Sequence, residues 1–452
     1  MRTAFLVAII CNVVYNLIKQ KQKLTEAGRT LPLSIAYASE KELSNDFNQD
    51  FSIDEQQAET DGAQDTAQLE KEDATACNKQ DETSQYEPKR LLPQSRNATF
   101  DVARIIAMFL IVASHFLGHG GWMNNMSGTN LVFAKILQSV FYPAVDVFVL
   151  TSAYFSCTKT KLNVKKLATL YATVWFYSML LFTVATASGM LPYNKEQLIS
   201  SIFPVLTGKY WFFSAYIFLS LLVPFLNIVV KHVSKKQHLV LAICALILGS
   251  LSSDAHILPQ FGIDSGYNLI WFVCLYFVGS YIRIYDVKIP RKFFAIPLLL
   301  YVACVVGGYF ARVAHASILS SLGAVLIVLF CKHFPIRSKN LSKAITAVSS
   351  VMFGVYLIHD SNEMRAYIYQ NVFHSYKYYS SKYSFLILLG FISVTFVVCA
   401  LCECVRKQGV NLVRFVVKKQ RQSLQNNLCA NERQSKTQAV CLRFPFRRID
   451  AR

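Results

Sequence analysis

Between Phe100 and Leu117 the chain reads FDVARIIAMFLIVASHFL, an apolar run about long enough to cross a bilayer, yet it contains Asp101, Arg104 and His115. At ~100° per residue, the step from Arg104 to His115 returns to nearly the same helical face after roughly 16 Å of rise, and Asp101 lies one turn before Arg104 on that side. Lipid offers such a stripe no partner, so it belongs against other helices or a wet cavity. A neutral His can accept the proton of a hydroxyl, and its unperturbed pKa near ~6.5 suits a general base. The plain alternatives are that His115 caps the helix end at the interface and that Arg104 snorkels to headgroups.

The second span contains AVDVFVLTSAYFSC, which puts Asp146 close to the bilayer middle, with Thr151 and Ser152 about two turns further on. A buried unpaired carboxylate costs several kcal/mol, so Asp146 needs a partner. By depth, the expected partners are first-span residues, and a structural ion pair with Arg104 is the simplest case. Later, YWFFSAYIFLSLLVPFLN begins with an aromatic group that includes Trp211 and contains Pro224, a pattern that an interfacial belt and a kink explain. FGVYLIHD puts Tyr356, His359 and Asp360 at one end of a span. His359 either faces the same cavity as His115 or sits at the interface.

These residues are positioned by a chain that is 53% hydrophobic and only 16% charged, which excludes an ordinary soluble domain. An all-α polytopic membrane bundle is expected. Residues 1–18 include a short apolar segment, a possible extra span or anchor, and residues 19–95 read as an acidic, disordered linker. Residues 96–405 form the membrane domain, and residues 406–452 a basic tail. Ten spans are expected, near 98–117, 132–156, 167–188, 210–230, 238–252, 268–284, 293–310, 315–331, 344–360 and 384–405.

The net charge of +19 combines an acidic stretch with a strongly basic remainder. Alternate gaps between spans are rich in Lys and Arg, beginning with Lys159, Lys161, Lys165 and Lys166. The positive-inside rule makes those gaps cytoplasmic, together with the N-terminus of the core and the C-terminus. The multi-pass chain is expected in a cell membrane, the bacterial plasma membrane in particular, among anionic lipids. No aromatic-interleaved basic motif or finger spacing points to nucleic acid. The twelve Cys residues are scattered, and the group Cys399, Cys402 and Cys404 lacks zinc-ligand spacing.

The order Arg96, Asp101, Arg104, Ala107, His115 resembles the opening signature of the acyltransferase 3 family, integral membrane O-acyltransferases of cell-surface glycans. VDVFVLTSAYF resembles that family's second-span motif, and KYWFFSAYIFLSLLVPFLN and FGVYLIH its later Trp-Phe and Tyr-Leu-Ile-His stretches. The resemblance covers roughly residues 96–404, with Ala153 where Gly is usual and Val149 where a second Phe is common. It implies a ten-span bundle that moves an acyl group, usually acetyl from acetyl-CoA, to a hydroxyl of a surface polysaccharide or lipid-linked glycan.

The same resemblance makes His115 the catalytic base and Arg104 its basic partner, with Asp101 and Asp146 in the catalytic set. Lys159, Lys161, Lys165 and Lys166, together with Ser152, would meet the donor, although Lys cannot fork around a phosphate as Arg does. Trp211, Tyr356 and His359 would meet the acceptor, and no metal is implied. A proton-coupled transporter using the Asp, His and Arg residues as a relay is the alternative from another class, and a non-catalytic membrane scaffold a third. No internal repeat of the kind common in transporters is visible in the sequence.

Overall fold

The computed structural model describes residues 97–159, 161–254, 268–290, 295–311 and 316–441, and among these every regular element is helical. The expectations for residues 1–18 and 19–95, and the cations Arg96, Arg291, Lys292 and Arg312, lie outside the described residues.

Helix α1 (Ala98–Gly118) starts at Asn97, whose side chain accepts from the Thr99 amide at 3.0 Å. Asn97 Nδ2 donates to the Cys331 carbonyl at 3.3 Å and the Thr99 hydroxyl donates to the Phe334 carbonyl, so this helix start is tied to a later helix. The chain leaves α1 through Gly120 and Gly121. Gly121 has φ +82°, and a Cβ there would lie 2.7 Å from the Tyr379 hydroxyl, so both conformation and space require glycine. A single turn, α2 (Trp122–Asn125), follows with Trp122 fully buried.

The second span is two pieces, α3 (Gly128–Phe141) and α4 (Pro143–Ser156). Pro143 stands at the start of α4, where its missing N–H does least harm. Then come α5 (Val164–Ala187), the short α6 (Lys195–Ile202), α7 (Trp211–His232), α8 (Lys235–Asp254) and α9 (Leu269–Ile284). The chain closes with α10 (Ala295–Ala311), α11 (Ile318–His333), α12 (Lys339–Ser349), α13 (Met352–His359) and α14 (Ser384–Cys441).

Seven stretches among the described residues are long and apolar enough to cross a membrane, three of them composite: α1 with α2, α3 with α4, and α12 with α13. Helices α9, α11 and the Leu299–Phe310 part of α10 are shorter apolar helices. Each of the ten expected spans overlaps one helix, except the second and ninth, which fall on the pairs α3 with α4 and α12 with α13. The largest difference in a boundary is at the end of the last span. The last span was expected to end at 405, but α14 runs on to Cys441, because residues 406–441 contain no proline and only Gly409 to interrupt it.

The core gathers around α1, whose Val112, Phe116 and Leu117 are fully buried and which packs on α3, α4, α11, α12, α13 and α14. The most extensive helix contact joins α4 to α9. There a Cβ on Gly279 would come 2.7 Å from both the Leu150 carbonyl oxygen and the Ala153 Cβ. The small residue for this close approach is therefore on α9, opposite the alanine that replaces the usual motif glycine. Glu403 of α14 is buried and accepts from the Tyr177 hydroxyl of α5 at 2.7 Å and from Arg406 at 2.6 and 2.7 Å. Large apolar side chains such as Phe225, Phe310 and Leu386 face outward, as a bundle surrounded by lipid requires.

Gly279→Val should push α4 from α9 and remove most correctly folded protein, since overpacking against backbone costs about 1–3 kcal/mol or more. Size-exclusion profiles of detergent extracts will read this as loss of the monodisperse peak, while the outward-facing Phe310→Leu should leave the peak intact.

Candidate functional site

At the C-terminal end of α1, His115 meets His359 of α13, its Nδ1 2.8 Å from the partner's Nε2 with the rings stacked at 5.0 Å. His359 Nδ1 lies 2.7 Å from the Val355 carbonyl, which can only accept, so that nitrogen carries the hydrogen. With both rings neutral, His359 Nε2 is then an acceptor and His115 Nδ1 its donor. This tautomer, assigned from the partners, leaves the lone pair of His115 on Nε2.

Asp360 follows His359 and collects donors from several directions. Its carboxylate lies 3.4 Å from His115 Nδ1 and 3.0 Å from His119 Nδ1. Arg365 forks onto it at 2.9 and 3.0 Å, and the Tyr369 hydroxyl donates at 3.2 Å. Burial alone would push this carboxyl up, but His115, His119 and His359 beside it hold it below the usual carboxylate range. His119, four residues after His115, stacks on it at 5.0 Å and is the most exposed of the cluster, while His359 is fully buried.

A buried ion pair braces this end of the bundle. Lys209, just before α7, meets Glu363, just after α13, at 2.5 Å with both side chains almost fully covered. The Tyr210 hydroxyl adds a bond to the Leu357 carbonyl at 3.3 Å. Burial pulls the Lys209 ammonium down, and Glu363 opposes that pull.

The other end of α1 holds a second polar group. Asp101 is buried and accepts from Arg104 at 2.9 Å, from Thr346 at 3.0 Å and from Ser349 at 3.1 Å, the last two from α12. The Arg104 guanidinium lies over the Phe155 ring at 5.8 Å and remains about one-third exposed. Exposed Lys159 and Lys161, in the loop between α4 and α5, and Lys165 and Lys166, in the first turn of α5, belong to this same end. Asn227 of α7 fixes that loop by donating to the Lys159 carbonyl at 2.7 Å. Arg283 of α9 adds a guanidinium over the Tyr154 ring at 5.3 Å.

Asp146 departs from expectation. It is fully buried on α4 and accepts from Trp271 Nε1 at 3.1 Å and Ser321 Oγ at 3.0 Å, on α9 and α11, while Arg104 turns to Asp101. Similarity of depth suggested the first span, but the side of α4 that Asp146 occupies faces α9 and α11. Ser152 reaches toward the Tyr216 hydroxyl at 3.5 Å. Phe212 rests on Tyr216, with ring centroids 6.2 Å apart, and on Tyr356 at 5.7 Å. An aromatic path thus links the lysine end to α13. Trp211 packs beside it, against Phe212 at 5.8 Å and Phe272 at 6.3 Å.

The cluster has one feature of a metal site, because donor atoms of His115, His119 and Asp360 all lie within 4.8 Å of one another. Arg365 forks onto the same carboxylate oxygens and would compete with a cation for them. The arrangement fits an oriented base better.

A family model described as an acyltransferase domain matches residues 97–404. The chain belongs to the acyltransferase 3 family. No similar curated protein and no similar solved structure was found. The match spans both polar ends of α1 and the whole helical core, so this membrane acyltransferase carries its histidine cluster inside the family domain.

The structure joins His115 to His359 and Asp101 to Arg104, keeps the four lysines at the Arg104 end, and sets Asp146 apart from both groups. His119, Arg365, Tyr369, Trp271, Ser321, Thr346 and Ser349 were not singled out by sequence reasoning. The four-residue step from His115 to His119 was a usable signal, and so was the position of Arg365 and Tyr369 five and nine residues after Asp360. The donors to Asp146 carry no local signal.

Glu363→Ala strands a buried ammonium and should destabilise the protein by about 3–5 kcal/mol, whereas Lys209→Leu with Glu363→Leu should recover much of that loss in thermal unfolding. For Asp360 the folded carboxyl titrates below its unfolded value near ~3.9, so its stabilisation is present above that pH and is lost as pH falls through the folded value. The stability difference between wild type and Asp360→Asn should therefore stay constant from neutral pH to about 4 and close below it.

Proposed function

We propose that this acyltransferase moves an acyl group, most simply acetyl, from acyl-CoA to a hydroxyl of a cell-surface or lipid-linked glycan, with His115 as the general base. The observation that carries this reading is the bond from His115 Nδ1 to His359 beside Asp360, which leaves Nε2 free to take a proton. The acceptor oxygen attacks the thioester carbonyl as its proton passes to Nε2. The C–S bond breaks, and the imidazolium returns the proton to the departing thiolate.

Asp360 and His359 are positioning residues in this scheme. They hold the imidazole in one tautomer and orientation, as the third member of a catalytic triad does. Arg104 and the lysines from Lys159 to Lys166 would hold the anionic part of the donor at the cytoplasmic end, which puts His115 toward the outer face. Roughly 16 Å of α1 separates Arg104 from His115, so an extended donor arm must enter the bundle to bring its thioester to the base. The aromatic path from Tyr216 through Phe212 to Tyr356 is a suitable wall for that arm. Arg365 over Asp360 favours this reading over a proton-relay transporter, because a carboxylate kept ionised by a fixed cation is a poor carrier of protons.

The test is transfer of radiolabel from acetyl-CoA to envelope glycans in membranes that contain the full chain. His115→Ala should abolish labelling, about a hundredfold or more for a lost general base, with the protein still folded. Arg104→Gln should mainly raise the KM for acetyl-CoA. Labelling that persists in His115→Ala overturns the mechanism.

A further inference from the structure

Lys135 stands about two turns into α3, inside a stretch long and apolar enough to cross a membrane. Buried acids of the spans are met by donors from other helices, whereas the Lys135 ammonium has no carboxylate within ion-pair distance among the described residues. An ionisable residue in that position needs a partner of opposite charge from somewhere. Lys135 is exposed and lines a cavity of about 270 Å³ where α3 packs on α10, together with Met123, Gln138, Tyr142 and Tyr309. We propose that this cavity seats the phosphate of an anionic glycerophospholipid from the leaflet on the His115 side.

Depth supports a lipid headgroup. The composite stretch of α3 and α4 has 29 residues, roughly 43 Å of helix, against about 30 Å of hydrocarbon. Ser156 leads directly into the lysine loop at the other surface, so the surplus length falls at the Gly128 end. Lys135 is about 10 Å along α3 from Gly128, which puts it at the border between hydrocarbon and headgroups. A cross-link gives the same level. Gln138 Nε2 donates to the Ser114 hydroxyl at 2.7 Å, so Lys135, one turn nearer the start of α3, is level with the end of α1 at Gly118.

The cavity also faces the right way. Val132 is one turn before Lys135 on α3, and Val306 is one turn before Tyr309 on α10; residues so spaced share a helix face, and both valines are exposed. The mouth therefore opens between apolar side chains turned toward lipid. A lysine that merely snorkels needs to reach the headgroup layer but needs no recess. Here the recess adds the hydroxyls of Tyr142 and Tyr309, which can donate to phosphate oxygens.

Charge and size select the headgroup. The wall contains one cation and no acid. A phosphodiester carries one negative charge and matches it, whereas a phosphomonoester with about two would leave charge uncompensated at the edge of the hydrocarbon. A zwitterionic headgroup would bring its own cationic group beside Lys135, with no acid in the wall to receive it. Pockets for drug-sized ligands run roughly 300–1,000 Å³, so this one takes a single small headgroup.

The experiment is native mass spectrometry of the full chain in detergent. It is titrated with phosphatidylglycerol, with phosphatidylcholine of the same acyl chains, and with sn-glycerol 1-phosphate as the soluble phosphate. Wild type should retain phosphatidylglycerol in preference to phosphatidylcholine, and glycerol phosphate should bind far more weakly than the lipid. The apparent affinity for phosphatidylglycerol should fall about tenfold in Lys135→Gln and severalfold in Tyr309→Phe, and should return in Lys135→Arg, which keeps the charge and serves as the folding control. Lipid that remains on Lys135→Gln measures binding at basic surfaces elsewhere. Equal retention of phosphatidylglycerol by wild type and Lys135→Gln overturns the site. Phosphatidylcholine held as firmly as phosphatidylglycerol, or glycerol phosphate bound as tightly as the lipid, overturns the assignment to an anionic lipid.

Discussion

The interior of this bundle can hold a carboxylate only where donors from another element meet it, because neither lipid nor apolar side chains will solvate it. Five acids obey this requirement in different ways. Asp101 takes Arg104 with two hydroxyls of α12, Asp146 takes an indole and a hydroxyl, and Glu403 takes Tyr177 with Arg406. Glu363 takes Lys209, and Asp360 takes Arg365, Tyr369 and the imidazoles. All five of these sets join helices or segments far apart in sequence. Apolar contacts between helices surrounded by lipid are forgiving of rotation and sliding, and these polar cross-links are not. They decide which face of each helix turns inward.

The histidine cluster depends on that restriction. Asp360 would be a liability at the end of an apolar helix without the Arg365 fork, and His359 is aimed by the Val355 carbonyl one turn earlier in α13. The Gly120–Gly121 turn then ends α1 so that His119 faces back toward Asp360 instead of continuing outward. Under the proposed mechanism, His115 is prepared for chemistry by groups that never need to touch a substrate.

Much of this was legible in the sequence because the signals were local. The polar stripe on α1 follows from helical spacing, and each of the ten hydrophobic runs falls on a helix or, for the second and ninth, on a broken pair. His359 facing His115 was open as one of two alternatives, since both lie at the same end of their spans. Asp146 was harder. Depth can be counted along a chain but azimuth cannot, and the face of α4 that meets α9 and α11 is set by close packing at Gly279 and by the Pro143 break. The continuation of α14 past residue 405 was missed for the opposite reason. A drop in hydrophobicity marks where lipid ends, and it says nothing about where a helix stops.

The break at Ser350 and Val351 has a mechanical meaning. On one side of it, α12 grips Asp101 through Thr346 and Ser349; on the other, α13 carries His359 against His115. The two arms of a single bent segment therefore clasp opposite ends of the same straight helix, like a caliper with its hinge between them. Any force that shifts one jaw is felt at the other. Under the proposed function, donor bound at the Arg104 end would bias the alignment of His115 through this caliper, and that alignment would bias donor binding by the same free energy.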